Sequence, residues 1–275
     1  MATAAATLDP WGRRRLVRTL VTVATAAALL LGGLGYAVYS AIGSTKPGPV
    51  AADVAAAAAA HALPPGSGRR DAIAAAPMLA VPPEASRSGT PSTRQVPTMT
   101  LPGAVRVGPA GVATGFPKTP EGAVAQLAAI ETTVLQNMSI DRAHQVHDGW
   151  ATPGAGSAES WELTGNVAAF LSSGAGQYAD TIRGAVVATP VAAQIKGVDG
   201  DEWVLACVLL DIKARLATQA RIAYGHCERM QWTPHEGGRW LLGPGPEPAR
   251  APSTWAGTDL AVQAGWKTVT VGVDQ

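Results

Sequence analysis

Two histidines and one aspartate, His144, His147 and Asp148, form the pattern in this chain that comes nearest to a metal site. A spacing of three residues places both imidazoles on one face of a helix, and imidazole and carboxylate groups are common metal ligands. Two exposed histidines at a polar helix end explain the same residues without a metal, and we favour that interpretation. The sequence therefore predicts no metal site and no cofactor.

Other reactive side chains lack partners at a recognised spacing. Asp211 and Lys213 lie on one face of a predicted strand, where a solvated charge pair is favoured over a pocket acid. The acidic residues within 199–202 are typical of a solvated turn, and His226 has no nearby ligand. The sequence also lacks the serine-hydrolase, phosphate-loop and zinc-protease motifs. We therefore expect a protein that is not an enzyme.

The chain has two cysteines, Cys207 and Cys227. If residues 202–213 and 219–232 form a hairpin centred near Ala217, residues whose numbers sum to 434 lie opposite one another. The numbers of the two cysteines have this sum, so Cys207 would lie opposite Cys227. Directly opposed side chains on neighbouring strands are close enough for a disulfide after slight adjustment. Two buried free thiols are the alternative. We predict the disulfide, since the compartment inferred below is oxidising.

Residues 19–45 carry no charged side chain and consist mainly of Ala, Val, Leu and Gly. About 20 apolar residues suffice for a transmembrane helix. Arginines at 13, 14, 15 and 18 precede this segment, whereas Lys46 alone follows it, so the positive-inside rule places residues 1–18 in the cytoplasm. A cleaved signal peptide is the alternative, but its apolar region is normally much shorter. We predict a single-pass protein of the cell membrane with its C-terminal domain outside.

Residues 46–115 are rich in Ala, Pro and Gly and poor in bulky apolar residues. Such a composition cannot bury enough apolar surface to offset the loss of chain entropy, so we predict a disordered linker. Residues 118–275 contain eleven basic and sixteen acidic residues, a net charge of −5. An acidic domain is a poor partner for phosphates, and we expect no direct binding to nucleic acid.

Residues 116–275 are predicted to form one globular α+β domain. Thr119-Pro120-Glu121 has the features of a helix start, and apolar residues continue at helical spacing to about Asn137. Further helices are expected after Ser139 and after Ser157 or Ser160. Four strands are expected to follow, at 181–195 with a bulge or edge position at Pro190, then at 202–213, 219–232 and 239–242. Helices followed by antiparallel strands predict helices packed on one face of a curved sheet.

Three tryptophans lie in the C-terminal part of the chain, at Trp240, Trp255 and Trp266. A loop-rich aromatic segment usually packs on its own domain. We favour that packing. Tryptophan is also enriched where proteins bind one another, so an interaction surface formed by the three residues is the alternative.

The chain resembles bitopic assembly proteins of conjugation and type IV secretion systems, whose outer domain is a nuclear-transport-factor-2-like, cystatin-related cone. The resemblance is carried by the helix start at 119–123, the paired strands 202–213 and 219–232, and the closing strand Gly238-Arg239-Trp240-Leu241-Leu242. Residues 225–232 and Ala264-Gly265-Trp266 are also similar to outer domains of actinobacterial membrane proteins found with mobile elements. The resemblance implies that the partners are other membrane or cell-envelope proteins. Further copies of the same chain, in a homo-oligomer, are one kind of partner that the resemblance allows.

Three hypotheses about function follow. The first is a non-enzymatic, single-span scaffold of a cell-envelope conjugation or secretion complex. The second is a membrane-tethered domain that binds a small ligand, or acts on one, in the cavity of the cone. A sensor that signals through the short cytoplasmic tail ranks last, since residues 1–18 contain no recognisable effector domain.

Overall fold

The computed structural model describes residues 56, 58–173, 185–215 and 219–272. Residues 58–62 are helical. The further α-helices in this part of the chain are α1 (Ser67–Ala75), α2 (Pro120–Asn137), α3 (Ile140–Trp150), α4 (Glu162–Ser172) and α5 (Asp259–Gln263). The strands are β1 (Thr98–Leu101), β2 (Arg106–Val107), β3 (Ala113–Thr114), β4 (Val186–Val198), β5 (Trp203–Arg215), β6 (Gln219–Thr233), β7 (Arg239–Leu242) and β8 (Lys267–Val271).

A curved, six-stranded sheet with the order β1-β8-β4-β5-β6-β7 forms the centre of an α+β fold. Helix α2 packs across β4 and β5, and α3 and α4 pack beside it. The predicted packing of helices on one face of a curved sheet is therefore confirmed. The sheet is mixed rather than antiparallel throughout, because β1 pairs in parallel with β8.

Helix α2 begins as the sequence predicts. The Thr119 side chain accepts a hydrogen bond from the Gly122 backbone N–H, and Pro120 occupies the first turn, where its missing N–H costs nothing. Ser139 caps α3 in the same way. Helix α4 starts at Glu162, and the cap residue, Trp161, makes no side-chain capping bond.

The β5–β6 hairpin has the predicted register, with Cys207 opposite Cys227. A disulfide joins the two cysteines, as predicted. In the chain-entropy account, closing a loop of this length stabilises the fold by about 3 kcal/mol. The predicted irregularity at Pro190 is also present, as a register shift between β4 and β5 at Pro190/Ala192.

Strand β5 is buried on both faces. Side chains such as Val208 and Leu210 face the helices, whereas Trp203, Leu205 and Leu209 face the other way. On that second face, Ile73 and Ala74 of α1 cover Trp203 and Leu205, and Trp266 packs with Leu209.

The prediction of a disordered linker over 46–115 is wrong for residues 58–115. Helix α1 covers the sheet, β1 extends it, and Met99 and Leu101 are buried in the core. Few apolar residues were needed, because each one packs against a surface that the rest of the domain already provides. The domain therefore begins before residue 116.

The predicted transmembrane segment, residues 19–45, and the cytoplasmic tail lie outside the described residues. Within the described part of the chain, no helix combines the length and the apolar character that a membrane crossing requires.

The packing of β1 gives a direct test of the corrected boundary. Met99 is 6% exposed, whereas its neighbour Thr98 points to solvent. We expect Met99→Ala to lower the free energy of unfolding by about 2 kcal/mol or more, and Thr98→Ala to change it little. Urea denaturation of both variants measures the difference, and equal values would contradict a structured β1.

Candidate functional site

The centre of the domain contains five polar side chains on the inner face of the sheet, here called the polar cluster. Alternation along β6 turns Tyr224, His226 and Glu228 toward the helices. Helix α2 contributes Glu131, which is fully buried, and the first turn of α4 contributes Glu162.

His226 is the hub of the polar cluster. Its Nδ1 lies 2.8 Å from Oε1 of Glu131, and its Nε2 lies 3.6 Å from Oε2 of Glu162 and 3.7 Å from Oε1 of Glu228. The Tyr224 ring stacks beside the imidazole with ring centroids 5.8 Å apart. One basic group is therefore approached by three acidic ones.

Neutral donors hold two of these carboxylates in place. The Tyr224 hydroxyl donates to Oε1 of Glu162 at 2.9 Å and accepts a bond from the Asn166 amide at 2.8 Å. The Trp161 indole N–H donates to Oε1 of Glu228 at 2.8 Å. Oε2 of Glu131 has no hydrogen-bond partner among the described residues.

The electrostatics favour a protonated histidine. Burial disfavours the imidazolium, but the charges of Glu162, Glu131 and Glu228 outweigh burial and raise the pKa of His226 to about 10. Burial raises the pKa of Glu131 to about 7, against the hydrogen bond and charge of His226. Burial and the nearby carboxylates keep the Tyr224 hydroxyl protonated, because they raise its pKa well above the usual value.

The two remaining carboxyl groups differ. Burial opposes ionisation of Glu162, yet the charge of His226 and the hydrogen bond from Tyr224 hold its pKa below the usual value. Burial raises the pKa of Glu228, and the charge of Glu162 adds to this effect. The cluster therefore places two glutamates beside one imidazolium, one with a lowered pKa and one with a raised pKa.

A pocket of about 190 Å³ opens beside the polar cluster. Glu162 and Glu228 form part of its wall, so the carboxylates that approach His226 on one side face the pocket on the other. The remaining wall comes from the end of α3, the loop before α4, Leu242 at the end of β7 and the segment 243–248 that follows it.

Arg229 fixes the segment 243–248. Its Nε donates to the Pro246 carbonyl at 2.8 Å, and its Nη1 lies 2.8 Å from Oδ1 of Asp71 in α1. Gly245 has φ +122°, and a Cβ there would lie 2.6 Å from Nη1 of Arg229, so this position requires glycine. The N-terminal α1 therefore helps to position one wall of the pocket.

No family model, curated protein or solved structure matches this chain.

The predicted site residues have different outcomes. His144 is half-buried and Asp148 exposed, but His147 is 3% exposed and packs against Trp161 with ring centroids 5.4 Å apart. The interpretation of two exposed histidines is therefore wrong for His147. The described residues contain no group of three or more His, Cys, Asp or Glu that could hold a metal ion.

Asp211 forms the predicted ion pair with Lys213, and also a closer one with Arg221 of the neighbouring strand, which the sequence did not indicate. Two nitrogens of Arg221 donate to its carboxylate at 2.6 Å each, and Lys213 lies at 3.3 Å. Asp211 is 6% exposed rather than solvated.

The three C-terminal tryptophans do not form a common surface. Trp240 and Trp266 are each 1% exposed, and their indole N–H groups donate to the carbonyls of Pro117 and Pro252. Trp255 is half-buried beneath the Arg221 guanidinium, 4.4 Å from the ring centroid. The favoured interpretation, packing on the domain itself, is confirmed for Trp240 and Trp266, and the alternative, an interaction surface, is wrong for both.

The sequence contained a signal for the polar cluster that was missed. Tyr224, His226 and Glu228 alternate on one face of a strand whose opposite face holds Cys227, and Glu131 stands four residues from Leu127 and Leu135 on the apolar face of α2. Polar residues at core-facing positions are the feature that marks this site.

The charge of His226 can be tested by NMR of the imidazole nitrogens. The pKa is raised in the folded chain, so this group stabilises the fold below about pH 6.5 and loses that contribution as the pH rises toward about 10. We expect the His226 imidazole to remain protonated at pH 8, and the free energy of unfolding to fall between pH 7 and 10. In Glu131→Gln the pKa of His226 should decrease, because a neutral amide replaces the hydrogen-bonded carboxylate. Titration of wild-type His226 below pH 7 would contradict this account.

Proposed function

We propose that this domain binds a small ligand in the pocket beside the polar cluster. The observation that carries the proposal is the double role of Glu162 and Glu228, which line the pocket and also approach His226. Concave sites with a few convergent polar groups and perturbed pKa values are the usual places for ligands in proteins.

The composition of the wall supports binding. Trp161, Leu242 and Pro246 provide apolar surface. The carboxylates of Glu162 and Glu228 can orient a polar group of the ligand through hydrogen bonds. The wall is also held in place, by the indole bond to Glu228 and by the Arg229 bonds to Pro246 and Asp71. A site organised before the ligand arrives loses less entropy on binding.

With the membrane anchor predicted at residues 19–45, the proposed protein is a tethered binding domain on the outer side of the cell membrane. The described part of the chain begins at residue 56, about ten residues after the predicted anchor. The proposal is for binding rather than catalysis.

A fragment screen tests the proposal on the full chain in lipid nanodiscs. With 5-fluorotryptophan incorporated, the ¹⁹F signal of Trp161, assigned with Trp161→Phe, reports on the pocket. We expect a set of cationic, neutral and anionic fragments to include compounds that shift this signal, and Ser160→Trp, which fills the pocket from its exposed rim, to abolish the shift. If no fragment of any charge shifts the wild-type signal, the binding function is wrong.

A scaffold of a cell-envelope conjugation or secretion complex is the second candidate. The observation that favours it is the β2–β3 hairpin, where Val105 and Val107 are 72% and 73% exposed. Exposed apolar side chains that lie next to one another are a feature of surfaces that bind other proteins, and these two valines are two residues apart in an extended segment.

Pull-down of the membrane-solubilised protein tests the scaffold. Wild type should recover other envelope proteins, and the double variant Val105→Asp/Val107→Asp should lose them, because a charge would be buried in the contact. Val187→Asp, at an exposed valine of β4, is the matched control and should keep them. Recovery of the bait alone by the wild type would count against this candidate.

A further inference from the structure

We propose that the pocket takes an organic cation, an ammonium or guanidinium group on a short carbon chain. The inference rests on the proposed binding function and names the chemical class of the ligand. It starts from the charge of the wall, where three glutamates, Glu162, Glu228 and Glu247, surround a volume of about 190 Å³.

The three carboxyl groups have little cationic compensation on the pocket side. Trp161 and Tyr224, which hydrogen-bond to Glu228 and Glu162, are neutral donors. Arg229 also lines the pocket, but its guanidinium already binds Asp71 and the Pro246 carbonyl.

Other charged groups act from behind the wall. His226 approaches Glu162 and Glu228 from the core at 3.6 and 3.7 Å and is itself hydrogen-bonded to Glu131. The charge of Arg250 also acts on Glu162. His147 also acts on Glu228. The feature that favours a cationic ligand is therefore the set of three carboxyl groups on the pocket wall itself, Glu162, Glu228 and Glu247.

Glu162 and Glu247 both line the pocket and influence one another. Burial raises the pKa of Glu247, and the charge of Glu162 raises it further. An ammonium or guanidinium group brings several N–H donors and a full charge to the same place. Binding would therefore favour the ionised form of both carboxyl groups.

His147 provides an independent observation. Its side chain is 4% exposed and lies on the pocket wall, and its Nδ1 has no hydrogen-bond partner among the described residues. The nearest charged group is the exposed carboxylate of Asp148, at 3.6 Å. A buried polar atom without a partner is uncommon. With the imidazole proton on Nε2, Nδ1 is an acceptor, and a ligand with N–H donors would supply its missing hydrogen bond.

The volume of the pocket and its apolar wall restrict the class of ligand further. At about 30 Å³ per water, the pocket has the volume of roughly six waters, which suits a charged head with a short alkyl chain. Trp161, Pro246 and Pro248 exclude water on one side, and an indole face also attracts cations.

Four matched probes test the class by ¹⁹F NMR of Trp161 in the full chain. Butylammonium and butylguanidinium should shift the signal with saturation, whereas neutral butylurea, which has the shape of butylguanidinium, and anionic pentanoate should not. A blocked Gly-Lys-Gly peptide, compared with butylammonium, distinguishes a lysine side chain of a partner from a free amine.

Single substitutions provide the second arm. Glu247→Gln and Glu228→Gln should each weaken binding of butylguanidinium by about tenfold, since a charged hydrogen-bonding partner is lost. Glutamine at 228 can still accept the bond from Trp161. Glu84→Gln, which removes an exposed carboxylate outside the pocket, should leave binding unchanged.

Several outcomes would overturn the proposal. Binding of butylurea as tight as that of butylguanidinium would show that charge is not recognised. A response to calcium chloride but to neither organic cation would assign the site to a metal ion. If neutral or anionic fragments bind and cations do not, the ligand class is wrong while the binding function stands; if nothing binds, both are wrong.

Discussion

The burial of β5 on both faces is the constraint on which the rest of this fold depends. Its apolar side chains point alternately to the two sides of the sheet, so a single layer of helices could cover only half of them. Helices α2 to α4 cover one face, and α1 with the C-terminal segment around Trp266 covers the other. The disulfide at Cys207 lies on this second face, where it ties β5 to β6 beneath the C-terminal segment.

The polar cluster is the exception within this apolar interior. A buried imidazolium among carboxylates costs desolvation energy, and its neighbours compensate for that cost by charge and hydrogen bonds. The arrangement is asymmetric, because Glu131 faces the core while Glu162 and Glu228 also meet the pocket. Two carboxyl groups that approach the buried imidazolium are thereby also presented at the pocket.

Much of the fold was predictable because its signals are local. The Thr119 cap, the helical spacing after Pro120 and the hairpin symmetry of the cysteines depend on nearby residues, and each agrees with the structure. The N-terminal part of the domain was not predictable from composition, since Ile73 and Met99 become core residues only by packing on distant strands. The polar cluster was not predicted for a related reason. An acidic residue such as Glu131 is solvated in most helices, and only its position on the apolar face of α2 indicates that its side chain is buried. The absence of alternation in β5 was the one available sign that a second covering layer had to exist.

The pairing of β1 with β8 has a consequence for how the chain reaches its final form. Thr98 pairs with Thr268, so the edge strand β1 cannot pair with β8 until a further 170 residues have been synthesised. During synthesis and any export that starts from the N-terminus, β1 is among the first segments to emerge and among the last that can pair. Until then its buried positions Met99 and Leu101 stay accessible to chaperones, and the domain closes only when both of its ends have arrived.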